Sequence, residues 1–272
     1  MNSILHSTQS IRPLSATAAA LLCASLSIFA APALAGEDEI VADRPDFTNS
    51  SSIVGKGRVV LETSVAHERD SVNGVKATLS STPTTLRVGL SENFEIRIDS
   101  NGALRFSESG TRISGSADTG IGFKLKLADG DEKSGTPGIA FLARAELASG
   151  SQQFRGDGTR PSALLVADWD LPNEVSVGLM TGAYREQGPS GKYTGYVFSA
   201  TTSKGWTDKF RTFAEIAAQQ ITAKKNGGNV VTFDVGATYI MTKDVQLDFA
   251  YYHGINKEAP DASVTVGVSV RF

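Results

Sequence analysis

Cysteine is nearly absent: the 272 residues contain one, Cys23. A chain with a single cysteine has no disulfide framework and no thiolate metal cluster. Histidine numbers three, and the two beyond residue 35, His67 and His253, stand apart, so no metal and no cofactor is expected. No run of about 18 uncharged apolar residues follows the N-terminal stretch, which excludes a bundle of membrane helices. Basic blocks are missing as well. Lys and Arg total 26 against 29 Asp and Glu, the net charge is −3, and no nucleic-acid partner is expected. Gly120-Ile121-Gly122 lies within a strand pattern and is no phosphate loop. Convincing amphipathic helices are lacking too. What is present is 40% hydrophobic residues at a mean hydropathy of −0.10, enough to bury a core and exclude disorder.

The N-terminus reads as an export signal over residues 1–35. Arg12 supplies the early charge, and an apolar stretch rich in Leu, Ala and Ser follows. Ala33-Leu34-Ala35 forms a small-residue cleavage site before Gly36. A membrane anchor is the alternative, but the apolar stretch is short. A lipoprotein signal is another, but Leu22 is not the small residue that should precede Cys23. The mature chain is then expected to hold no cysteine.

Beyond the signal the pattern has a period of two. Val264, Val266, Val268, Val270 and Phe272 share one face, and Ser263, Thr265, Gly267, Ser269 and Arg271 the other. Phe94, Ile96 and Ile98 alternate with Glu95, Arg97 and Asp99, and the same alternation fills 119–128, 229–240 and 245–253. This is the signature of half-buried strands. About twelve are expected, at 57–69, 75–90, 94–102, 119–128, 137–148, 161–171, 174–184, 193–206, 210–220, 229–240, 245–253 and 262–272. Short turns at 91–93, 172–173, 207–209 and 241–244 and a slightly longer one at 129–136 alternate with longer loops at 103–118, 149–160, 185–192, 221–228 and 254–261. An even strand count places both termini at the short-turn end, which in an outer-membrane barrel is the periplasmic side.

A soluble β-sandwich is the competing architecture. Against it stand hairpin-joined neighbours without Greek-key crossovers, glycines such as Gly89, Gly178 and Gly267 on the polar face, and polar-face charges of both signs. A closed antiparallel up-and-down transmembrane β-barrel accounts for all three, because lipid offers backbone groups no partner and forces closure. The apolar face then meets outer-membrane lipid. Phe94, Trp169, Phe210, Tyr239 and Phe272 fall toward the short-turn side, while Phe123 and Phe141 sit nearer mid-strand.

Several segments are similar to one family. They are Asp43-Arg44-Pro45-Asp46-Phe47-Thr48, Gly57-Arg58 before Leu61-Glu62, Thr85-Leu86-Arg87-Val88-Gly89-Leu90 followed by Glu95-Ile96-Arg97, Phe213-Ala214-Glu215, and the terminal Val268-Ser269-Val270-Arg271-Phe272. The chain resembles the bacterial outer-membrane barrels of the phenol-degradation MetA-pathway type over nearly its whole mature length, with the Asp-Arg-Pro-Asp-Phe segment the most specific piece. The resemblance implies an outer-membrane channel of a Gram-negative cell. Its role would be passive or facilitated passage of small molecules, aromatic or hydrophobic compounds among them.

The expected organisation is a signal at 1–35, a periplasmic leader or partial plug at 36–56, and the barrel at 57–272. Candidate pore-lining residues on the polar face are Glu62, Arg87, Glu95, Arg97, Lys124, Arg144, Asp168, Arg211, Glu215 and Asp234. Arg87 and Arg97 lie five residues either side of Glu92, which makes them cross-strand neighbours near Glu95 and Glu62. The functional reading is a constriction selective for anionic or polar solutes; the other is mutual pairing without selectivity. Asp43, Arg44, Asp46 and Phe47 are the candidate plug, the alternative being an extended, solvated leader. A lipid hydrolase and a structural or adhesion barrel are the other function classes. The sequence places no Ser beside a His on the same face, so no enzyme is expected. Nothing in the sequence bears on oligomeric state.

Overall fold

The computed structural model describes residues 39–188 and 191–272. The export signal expected over 1–35, with Cys23, lies outside the described residues. Fifteen strands follow in chain order: β1 (Val59–Val72), β2 (Val75–Ser81), β3 (Thr84–Ser91), β4 (Phe94–Ser100), β5 (Ala103–Glu108), β6 (Thr111–Ser116), β7 (Thr119–Ala128), β8 (Gly138–Leu147), β9 (Arg160–Leu171), β10 (Val175–Gly188), β11 (Gly191–Thr207), β12 (Phe210–Ile221), β13 (Val230–Thr242), β14 (Val245–Gly254) and β15 (Ala262–Arg271). The one helical element among the described residues is a 3₁₀ turn at Lys224–Asn226.

The strands make a closed antiparallel barrel of twelve staves. β15 pairs with β1 to close the ring, with Val65 opposite Val266. Three staves are interrupted, each formed by two strands in line: β2 with β3, β4 with β5, and β6 with β7. The ladder crosses the interruptions, since Ser64 donates its N–H to the Pro83 carbonyl, Thr82 to Asn101, and Ala117 to Gly102, at 2.8–3.0 Å. The sequence supplies the breaks. Pro83 has no N–H to donate, and Gly102 sits at φ +64°, a left-handed conformation that side chains disfavour.

These details correct the expected spans. The strand at 75–90 is broken at 82–83. Residues 103–118, expected as a loop, are largely the hairpin β5–β6, which continues the sheet above the ring by pairing β5 with β2. The loop expected at 185–192 is mostly strand, because β10 and β11 stay paired up to Gly188 and Gly191.

Burial is inverted relative to a soluble protein. The largest fully buried side chains include Arg87, Lys124, Glu62, Glu95 and Glu215, while Val65, Ile98, Ile121, Phe233, Phe249 and Val266 are exposed. Exposed apolar residues form a belt around the outside and charges fill the inside, as in a barrel solvated by lipid. Phe123 contacts Phe94 and Phe141 on the outer wall, with ring centroids 5.5 and 6.2 Å apart.

Candidate functional site: a lumen crossed by the N-terminal segment

Residues 40–54 precede β1 and run through the interior, bonding to inner-face side chains from staves all around the ring. Ile40 donates to the Lys243 carbonyl. Arg44 pairs with Asp248 at 3.0 Å and donates to Thr265, and Tyr252 donates its hydroxyl to the Pro45 carbonyl. The backbone N–H groups of Phe47 and Thr48 both donate to Glu215 at 2.8 Å, and the Thr48 hydroxyl meets Glu215 and Ser199. Ser51 donates to Asp168, and Val54 to Glu95. Extended chain inside a barrel has no strand partner for its N–H and C=O groups, so side chains must satisfy them.

The densest contacts lie at Asp43. Arg97 Nη1 reaches Asp43 Oδ2 at 2.6 Å, and Lys124 Nζ reaches the same carboxylate at 2.8 Å. Arg87 bonds Glu95 through Nε at 2.8 Å and Glu62 through Nη1 at 2.9 Å, and lies 3.5 Å from Asp43. The cluster therefore holds three cations, Arg87, Arg97 and Lys124, and three carboxylates, Asp43, Glu62 and Glu95. One carboxylate comes from the N-terminal segment and the rest from the wall. Arg87 and Lys124 also donate to the Ser52 carbonyl, tying the segment backbone to the same charges. Arg87 and Arg97 are direct cross-strand partners, as their spacing predicts.

Glycine on the polar face makes room for the segment. A Cβ on Gly89 would lie 1.7 Å from the Gly55 carbonyl oxygen, and one on Gly267 would lie 2.8 Å from Arg44 Nε. Phe47 and Leu164 pack against the buried cluster of Leu142, Val166 and Met180, an apolar patch inside the barrel. The uninterrupted apolar run Ala163–Ala167 is its sequence signal, since Ala163 and Leu165 face outward while Leu164 and Val166 put apolar groups on the inner face, where the other strands carry polar ones.

The other candidates divide between the two ends. Arg144 lies toward the long-loop end, bonded to Asp99 at 2.8 Å and Glu146 at 3.3 Å. Arg211 lies toward the short turns, bonded to Ser203 at 2.9 Å and half exposed. Asp234 sits across the ladder from Glu215 and accepts from Thr232 at 3.0 Å. Gln246, Asp248 and Tyr252 also hold the segment and share the inner face of β14, which the alternation marks. Their role escapes the pattern, because alternation reports a face and not what the face touches.

Two cavities flank the segment. One of about 520 Å³ opens toward the long loops, lined by Arg97, Asp99, Arg144, Glu146 and Tyr184 among others. The second, about 980 Å³, opens toward the short turns, lined by Glu174, Lys209, Phe210 and Arg211 among others. Asp46 and Asn49 line both. At the junction of β6 and β7, Asp118 accepts N–H bonds from Ser149, Gly150 and Gly156 and from Arg160, at 2.7–2.9 Å. Burial opposes its ionisation, but those donors outweigh it, and its pKa falls below the ordinary carboxylate value.

His67 on the outer face meets Ser80 on the neighbouring strand, Nδ1 to Oγ 3.0 Å, so a Ser does stand beside a His on one face. No acid or amide bonds the second ring nitrogen among the described residues. Among the described residues no group of three His, Cys, Asp or Glu side chains is arranged to hold a metal ion.

The family described as "Putative MetA-pathway of phenol degradation" matches residues 42–272. The COG4313 outer membrane channel from Pseudomonas putida F1 is similar in fold, with a TM-score of 0.64 at 14% identity, over 88% of this chain and 99% of that one. The NanC porin is similar at a TM-score of 0.50 and 14% identity, over 77% of this chain and 98% of that one. No curated protein sequence matches.

Proposed function

The chain belongs to the MetA-pathway phenol-degradation family, and on that premise we propose that it is an outer-membrane channel for small molecules whose lumen is narrowed by its own N-terminal segment. The observation that carries this reading is the pair of cavities inside a closed, polar-lined barrel, one on either side of the segment and both lined by Asp46 and Asn49. A barrel of twelve strands is wider than one its own side chains fill. Here the added segment, not the wall, occupies the excess width.

In this reading residues 1–35 direct export, the stretch within 36–56 is the partial plug, and the termini face the periplasm. The charge cluster at Asp43 acts as the seat of the plug, with its three cations and three carboxylates in balance. Solute selection then falls to the charges that line the cavities, Arg97 and Arg144 on one side and Arg211 on the other, instead of to Arg87, which is fully buried. The His67–Ser80 pair supports no hydrolase reading, because a nucleophile–base pair needs a third group to orient the base.

The test is single-channel conductance in planar bilayers. The wild-type barrel should conduct weakly, and removal of residues 39–52 should raise conductance severalfold. A deletion variant that folds and conducts no better than wild type refutes the plug; absence of conductance in both refutes the channel.

A further inference from the structure

The sheet extension above the ring sorts its charges by face. In β1 the even residues point inward with Glu62 and Ser64, and the odd residues point outward with Val65. Register carries this parity across the extension. Arg69 stands opposite Thr78, Thr78 opposite Ser107, and Ser107 opposite Arg112. One row lower, His67 stands opposite Ser80, and Ser80 opposite Arg105. Lys76 pairs with Ser71 on the same outward face. Cross-strand partners share a face, so Arg69, Lys76, Arg105 and Arg112 all point outward, and the acids Glu68, Asp70 and Glu108 all point inward. The four cations are exposed and enter no ion pair among the described residues.

The outward face lies directly above the lipid-facing belt. Phe249, Val266 and Val65 form one apolar row of the wall, and Arg69 is four residues further along β1 than Val65. At about 3.4 Å per residue and a tilt near 40°, that is roughly 10 Å of height, the level of the lipid headgroups. Long cationic side chains extend along such a boundary toward negative charge. We propose that this face is a binding surface for phosphorylated lipid of the outer leaflet, with Arg69, Lys76, Arg105 and Arg112 contacting headgroup phosphates. Segregation of cations to one face and acids to the other is complementary to an anionic lipid surface, whereas a merely solvated sheet would mix signs. The inference adopts the long-loop end as the outward one, and it is independent of conductance.

The experiment uses the full-length barrel, delipidated in non-ionic detergent and titrated with bis-phosphorylated lipid A, with fully dephosphorylated lipid A in parallel. Retention is read by native mass spectrometry. Wild type should prefer the phosphorylated form by at least about tenfold, since each cation near an anionic headgroup contributes several-fold in binding. The variant R69Q/K76Q/R105Q/R112Q should lose that preference, the R105Q/R112Q variant, altered only on the β5–β6 hairpin, should lose part of it, and E108Q on the opposite face should keep it. Equal retention of the two lipids by wild type, or full preference in the quadruple variant, overturns the proposal. Stripping of lipid A by about 10 mM inorganic phosphate alone also overturns it, because a surface matched to a multiply phosphorylated lipid holds more than a single free anion does.

Discussion

Replacing Asp43 by Asn keeps the shape of the side chain and removes its charge. In the wild-type cluster three cations face three carboxylates; in D43N the three cations face Glu62 and Glu95 alone. Arg87 keeps its bonds to both glutamates, at 2.8 and 2.9 Å. The loss falls on Lys124, which is fully buried with Asp43 as its carboxylate partner at 2.8 Å, and on Arg97, left with Glu95 at 3.5 Å. Breaking a buried pair by removing one partner costs about 3–5 kcal/mol. The low end applies here, because Lys124 still donates to the Ser50 and Ser52 carbonyls. About 3 kcal/mol is roughly a hundredfold in the equilibrium between seated and displaced segment. The rest of the segment stays tied at Arg44 and Glu215, so the expected signature is frequent excursions to a higher conductance level in planar bilayers, with a shift toward anion preference in a salt gradient. The double variant D43N/K124M removes the orphaned cation and should return the channel toward wild-type behaviour. Wild-type conductance and reversal potential in D43N, or no difference between the single and double variants, would refute the charge-balance argument.

Gly89→Val should displace the segment near Gly55, because the new Cβ would sit 1.7 Å from a backbone oxygen; trypsin cleavage after Lys56 or Arg58 should rise at least severalfold while the barrel stays folded. Arg144→Ala frees Asp99 at the wall of the cavity that opens toward the long loops, while Glu146 keeps Arg160 at 3.1 Å, so cation preference should rise modestly at about 0.01 M salt and vanish near 1 M, where the Debye length falls to about 3 Å. For Asp118 the folded pKa is depressed, so its stabilisation of the 149–160 loop is fully present above the unfolded value of about 3.9 and is lost as pH falls through the lower folded value. Amide protection at Gly150 and Gly156, taken relative to the unstructured exchange rate at each pH, should stay high from neutral pH down to about pH 4 and fall only below it, whereas D118N should show low protection throughout.

Much of the architecture is legible in the sequence because lipid imposes a strict rule. A spanning strand must alternate, and Val264 to Phe272 or Phe94 to Asp99 cannot alternate so without one face meeting lipid or a core. Loop lengths are less legible. Residues 103–118 read as polar loop, yet β5–β6 continues the sheet, because its alternating stripe is only Leu104, Phe106 and Ile113, too short to stand out in a polar segment. The cross-strand pairing of Arg87 with Arg97 follows from spacing around a tight turn. That Lys124, well beyond both in sequence, joins them at Asp43 follows from nothing local.

By itself the sequence determined the class of fold, the inward face of each long strand, and the inventory of charges on it, since each depends on a two-residue period that neighbouring residues report. Only the tertiary structure decided what those charges are for. Closing the ring brings β3, β4, β7, β12 and β14 to face one interior, and the segment around Asp43–Thr48 can be held there only when all of them are in place. A carboxylate's partner across a barrel is set by ring closure and stave register, and neither leaves a local trace in the order of residues.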